Sequence, residues 1–304
     1  MKLLSNKLAA AVVATVGLGI AGHATADVYG LGYLQIDDLQ IEETAPGFGV
    51  PGIYTFNTNA DAILNGVPDL SSGASSCGGT FGGGTTCTPT DPVLSGTVQN
   101  APAGDVTRGE NDYTKFGTGS QYSNAEAAIV DAVLVGSAAT VTKQIAESNL
   151  VGGTSAQANT NVGSNTFIQW FFDLAGGELE ISFDAIIDVL AQVTSPSEGL
   201  ARASSSLTVS IANAAGATVV SWSPEGNETV TTCGTGLTCT ATETNNLVAG
   251  DDAASLQNAV TSFGAANQVA GNGTYELLIN GLLSGSYSIT LAATTTTDLI
   301  RIPQ

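Results

Sequence analysis

The sequence predicts a mainly β chain: an antiparallel, jelly-roll-like β-sandwich with one packed α-helix. Several short runs alternate apolar and polar residues with a period of two and are separated by turn residues, the mark of half-buried strands. Hydrophobic residues make up 43% of the 304-residue chain and charged ones only 11%, enough apolar material for a large core. Only one segment carries convincing helix signals. Short strands joined by turns, with a single helix, favour two packed antiparallel sheets over an alternating βαβ arrangement.

Starting from the N-terminal side, Tyr33–Ile41 alternates on either side of Asp37-Asp38 and slips phase at that pair, which predicts a bulge or two faces used in turn. Residues 66–119 are rich in Gly, Ser, Thr, Pro and Asp with little periodicity, and read as a long, partly ordered loop. Ser123-Asn124-Ala125-Glu126 has the form of a capping box, with Ala128, Ile129, Ala132 and Val133 on one face and Gly136 as a stop, so a helix is expected there. The stretch on to Leu150 reads equally as its continuation or as a strand. Phe167–Leu174 precedes Glu178–Asp184, where Leu179, Ile181 and Phe183 alternate with Glu178, Glu180, Ser182 and Asp184. Leu207, Val209 and Ile211 repeat the pattern, followed by Val220 and Trp222. Tyr275, Leu277 and Ile279 are expected to pair in a hairpin with Tyr287, Ile289 and Leu291.

At the N-terminus, Lys2 and Lys7 precede an apolar run from Leu8 to Ile20, and Ala24-Thr25-Ala26 has the small-residue form of a cleavage site. Residues 1–26 are therefore expected to be a signal peptide and 27–304 a single secreted domain with no membrane insertion after cleavage. Export implies an oxidising compartment, where local pairing of Cys77 with Cys87 and Cys233 with Cys239 orders the least chain. Four cysteines allow three connectivities, and a four-thiolate metal site is the rival arrangement.

The sole histidine, His23, lies inside the signal. Its absence afterwards removes the commonest general base and a common zinc ligand, so an enzyme is not expected. Beyond residue 26 the chain has 27 acids against Arg108, Lys115, Lys143, Arg202 and Arg301, a formal charge of −22. Nucleic acid is an unfavourable partner for such a surface. No cofactor is implied. Calcium is the cation it would recruit, with Asp37, Asp38, Asp251 and Asp252 as candidate ligands, but no D-x-D-x-D-G loop is present and dispersed solvated charge is the favoured reading. Paired carboxylates suffice for glycoside hydrolysis, but Glu178, Glu180 and Asp184 read as the solvated side of a strand. Trp170 reads as core; Trp222, before Ser-Pro-Glu-Gly, also reads first as core, with a sugar-stacking face at a strand end as the alternative.

Several blocks together resemble a known family: Asp27–Ile36, the small-residue stretch Ala125–Gly136, Phe171–Ala185, Ala203–Ile211 with Trp222–Gly226, and Gly285–Leu291. They are similar to the exosortase-dependent surface proteins, the PEP-CTERM proteins exported by Gram-negative bacteria. The resemblance implies a cell-surface or matrix protein of β-sandwich type with no catalytic residues. The family's sorting tail is a Val-Pro-Glu-Pro-like motif, an apolar span and a basic end. Here the chain stops at Arg301-Ile302-Pro303-Gln304, so release or assembly into an extracellular biofilm matrix is expected in place of anchoring. The expected partners are further copies of the chain, other matrix proteins, or polysaccharide. An N-terminal strand around Leu34–Ile41 is the candidate for coupling subunits by strand addition.

Overall fold

The computed structural model describes residues 27–43, 48–49, 53–78, 94–100, 108–109, 112–130, 140–151, 158–194, 199–225, 229–245 and 255–301. The signal segment, Cys87, Asp251 and Asp252 lie outside them. In chain order the strands are β1 (Val28–Glu43), β2 (Phe48–Gly49), β3 (Ile53–Leu64), β4 (Val67–Gly78), β5 (Leu94–Asn100), β6 (Tyr122–Val130), β7 (Thr140–Leu150) and β8 (Ala158–Leu174). They continue as β9 (Gly177–Val193), β10 (Gly199–Asn213), β11 (Thr218–Trp222), β12 (Val230–Cys233), β13 (Thr238–Asn245), β14 (Asn258–Ser262), β15 (Asn267–Leu282) and β16 (Gly285–Arg301).

These form an antiparallel β-sandwich. Sheet A has the order β13-β15-β9-β1-β7-β6-β5, and sheet B the order β12-β11-β10-β16-β8-β3-β4, with β14 added beside β10 and β2 beside β8. The chain crosses repeatedly from one sheet to the other, as between β7 and β8, β8 and β9, β9 and β10, β12 and β13, and β15 and β16, in the manner of a jelly roll. The period-two rows meet between the sheets: Leu179, Ile181 and Phe183 of β9, Leu207, Val209 and Ile211 of β10, and Ile289 and Leu291 of β16 are all buried. Trp170 is part of the same core.

Four expectations need correction. The segment expected to be a helix contains strand β6, paired with β5 on one side and β7 on the other. A Ser-x-x-Glu spacing reads as a cap only if the backbone coils. In the strand, Ser123 and Glu126 fall on opposite faces, and two ladders of backbone hydrogen bonds outweigh alanine's helix preference, the strongest of any residue but worth under about 1 kcal/mol per position. The expected hairpin between β15 and β16 does not exist: β15 pairs with β9 and β13, whereas β16 pairs with β8 and β10. Both strands are buried on one face because they line the sandwich from opposite sides.

The expected loop at 66–119 contains β4 and β5. Asn65 (φ 52°) and Gly66 (φ 79°) make the two-residue turn between β3 and β4, and an Asn-Gly pair is the favoured turn for a hairpin. Among the described residues β4 is the outer strand of sheet B and pairs with β3 alone, so its Ser- and Gly-rich sequence is tolerated. Lastly, β1 lies in the middle of sheet A, hydrogen-bonded to both β7 and β9, so its backbone groups are used within its own chain. The phase slip at Asp37-Asp38 is a bulge, as expected, with Asp38 at φ 53° and register shifts against both neighbours.

Where β6 and β7 face β3, β8 and β16, the interior turns small and polar. Ala60, Ala62, Ala125, Ala146 and Val162 form a cluster, and hydroxyls span the gap between sheets: Ser148 Oγ lies 2.8 Å from Thr297 Oγ1, and Gln144 Nε2 donates to Thr166 Oγ1 at 2.6 Å. The close approach depends on glycine. A Cβ on Gly32 would sit 2.9 Å from the Ser204 carbonyl oxygen and 3.2 Å from Thr295 Cβ.

Cys233, ending β12 in sheet B, is bonded to Cys239 in β13 of sheet A. The second expected disulfide therefore clips the two sheets together along one edge. The first, Cys77–Cys87, falls outside the described residues at Cys87.

Candidate functional site

The densest arrangement of charged and aromatic groups lies on the outer face of sheet A, beneath the segment 112–121 and Arg108. Alternation along β1, β7 and β9 sends Tyr29, Tyr33, Lys143, Glu147 and Asp188 outward while Gly32, Ala146 and Val189 face the core. The segment before β6 crosses over this row. Three of the five cationic side chains beyond residue 26 gather here: Arg108, Lys115 and Lys143.

Glu147 is the pin. Its carboxylate accepts from Arg108 Nη2 at 2.8 Å, Tyr29 Oη at 2.7 Å, and the backbone N–H groups of Gly117 at 2.9 Å and Phe116 at 3.2 Å. Both side chains of the Arg108–Glu147 pair are fully shielded from solvent. The guanidinium also donates to the Asp112 carbonyl oxygen and stacks over Phe116, 4.5 Å from the ring centroid. A buried ion pair holds only when its remaining hydrogen-bonding positions are filled, and the Glu147 carboxylate has all of these partners.

A second clasp lies alongside. Lys115 pairs with Asp188, whose other oxygen accepts from Gln268 Nε2 at 2.8 Å, and its ammonium sits 5.3 Å from the Tyr33 ring centroid. Tyr122 Oη donates to the Gly117 carbonyl at 2.7 Å, and Asn149 Nδ2 to that of Ser120 at 2.8 Å. Burial, reinforced by the Glu147 charge, pushes the Tyr29 and Tyr122 phenols well above their ordinary range. Both therefore stay protonated and act as donors. Glu147 is shielded from solvent, and its hydrogen bonds fasten the strap to sheet A.

Beyond the strap, the outer face of sheet A is acidic. Glu42 pairs in register with Glu180, and Glu276 lies near on β15. Burial, then the charges of Glu276, Glu42 and Glu178, raises the Glu180 carboxyl above its ordinary range. Asp37, raised chiefly by burial, accepts from Gln35 Nε2 at 2.6 Å, while Asp38 is exposed on the bulge. Among the described residues no group of three or more His, Cys, Asp or Glu side chains is placed to hold a metal ion.

The outer face of sheet B is different in kind. Its strands line up in cross-strand ranks: Ser206, Thr294, Asn165 and Asn59; then Thr208, Ala292, Phe167 and Asn57; then Ser210, Thr290, Gln169 and Thr55. No residue in these three ranks is charged. Charge returns at Asp61 in the next rank, at Arg202 and Asp298 in the one after it, and at Asp173 toward the other end.

Trp222 is a core residue, the reading favoured for it, and not the alternative sugar contact. It is fully buried, packed against Phe183 with ring centroids 5.8 Å apart, and its indole N–H donates to Glu243 Oε1 at 3.1 Å. It belongs to the inward row of β11 and offers no face to a ligand. The strap was missed by sequence reasoning because its partners are 39 and 73 residues apart and obey no period. The scarcity of bases was the available signal, since three of five fall between residues 108 and 143.

No protein-family model and no curated protein matches the chain. Among solved structures, that of the infectious bursal disease virus Gx strain aligns with 91% of this chain and 67% of its own at 9% identity, with a TM-score of 0.10, which carries no argument about fold or function.

Proposed function

We propose that this chain is an exported structural protein of a bacterial cell surface or extracellular matrix, acting through self-association rather than catalysis. The observation that carries this reading is the use made of the buried ionisable groups. Glu147 and Arg108 are consumed in holding the strap, Asp188 in the adjoining clasp, and no histidine occurs after residue 26 to serve as a base. The leader-like N-terminus, the acidic balance and the resemblance to exosortase-dependent surface proteins support the same reading. Polysaccharide binding is the second reading. With Trp222 buried, it rests on the uncharged outer face of sheet B, where Phe171 is 43% exposed.

Negative-stain microscopy of the secreted protein, with and without a calcium chelator, tests the first reading. Ordered sheets or filaments are expected. Uniform single particles at every concentration, with retention on a glycan array, would replace it with the second.

A further inference from the structure

Resting on the structural-protein reading, we infer that the outer face of sheet B is the self-association surface, and that its occupant is the same face of a second copy. Two chains of charge −22 repel, and the charge is distributed unevenly. Sheet A shows Glu42, Glu180 and Glu276 outward, whereas the central ranks of sheet B are uncharged and made largely of hydroxyls and amides. Its three central ranks are where two copies can meet without burying carboxylates against one another, Asp61 and the Arg202–Asp298 pair standing in the ranks beside them.

The interior of the sandwich displays the chemistry required. At the β7 end, sheet A already packs on sheet B through Ser148 with Thr297 and Gln144 with Thr166. The four-threonine run of β16 serves both sides. Thr295 and Thr297 face inward in the packed sandwich, while Thr294 and Thr296 face outward, with Thr296 in a hydroxyl pair with Ser204. An isologous face-to-face contact would repeat outside the fold what is built inside it.

The three uncharged ranks, four strands wide at about 4.8 Å between strands and two residues per rank at about 3.4 Å per residue, present roughly 400 Å². A standard interface buries about 800 Å² per partner, so this contact is a weak one that forms at high protein concentration.

Sedimentation velocity over a wide concentration range, at low and high salt, tests this with Thr294→Arg and with Asn272→Arg as the control. Asn272 lies on the exposed outer face of sheet A, so both variants change the net charge equally. Wild type is expected to dimerise, more strongly as salt screens the acids. Thr294→Arg places two guanidinium groups in one symmetric interface and should weaken association by about a hundredfold, with an unchanged melting temperature, while Asn272→Arg should not weaken it. Association that survives Thr294→Arg would overturn this face and leave the structural reading standing. A monomer at all concentrations and salts would overturn both. A monomer that is retarded by dextran, with retardation lost in Thr294→Arg, would give the face to a neutral polysaccharide instead.

Discussion

Replacing Glu147 by Gln should loosen the strap and destabilise the chain measurably. The amide oxygen can keep either Tyr29 and Gly117 or Arg108 and Phe116, and the NH2 group then faces the other two as donor against donor. Arg108 would then be a buried cation stripped of the Glu147 counter-charge. Removing one member of a buried pair typically costs about 3–5 kcal/mol. For a domain of this size a loss of that order lowers the melting temperature by about 6–10 °C. Thermal denaturation followed by circular dichroism reads the global part. Limited trypsinolysis reads the local part, because only five basic residues lie beyond residue 26 and two of them, Arg108 and Lys115, hold the strap. Cleavage at these two sites should precede cleavage elsewhere in Glu147→Gln and be slow in wild type. A variant with wild-type melting temperature and wild-type resistance at both sites would refute the pinning role of Glu147.

Three other expectations arise from the packing and charge. Gly32→Ala drives a methyl group against the Ser204 carbonyl and the Thr295 side chain, and should cost about 1–3 kcal/mol in urea denaturation. Opening the Cys233–Cys239 bridge with paired serine substitutions should cost about 2 kcal/mol by the loop-entropy relation and free the β12–β13 edge, read as a lower urea midpoint. Glu180 holds its proton more tightly in the folded chain than in the unfolded one, so its ionisation opposes folding as pH rises above the ordinary glutamate range of about 4.5. Moderate acidification from neutral pH should therefore raise the melting temperature through this group. In Glu180→Gln that part of the rise should be missing, and an identical pH profile would show that the carboxylates of this face do not interact.

The strand faces were legible wherever one side of a strand meets the core and the other meets water. Leu179, Ile181 and Phe183 alternating with Glu178 and Glu180 leave one solution, and the same holds for Leu207, Val209 and Ile211. The bulge at Asp37-Asp38 was legible because a single-residue slip inverts every side chain after it. Strand β6 was not. It is buried on both faces, so it shows no alternation, and its alanines and the Ser123–Glu126 spacing imitate a helix start. Nor was the partnership of β15 and β16. Two adjacent strands with matching patterns read as a hairpin, yet the same patterns serve strands that face each other across a core. The Asn65-Gly66 turn was a local signal outweighed by the Gly-, Ser- and Thr-rich composition of residues 66–119. The strap is the extreme case: its pinning pairs join β7 and β9 to a segment with no period at all.

Self-association through the uncharged face is tested most directly by a Thr294→Cys variant treated with a short bismaleimide, beside Asn272→Cys as the control. Thr294 lies mid-strand on β16, at the centre of the face, and Asn272 lies on the opposite side of the sandwich. Linked dimers are expected from the first variant at concentrations where the second remains unlinked. Equal yields from both, or none from Thr294→Cys in a preparation that still assembles, would contradict the account.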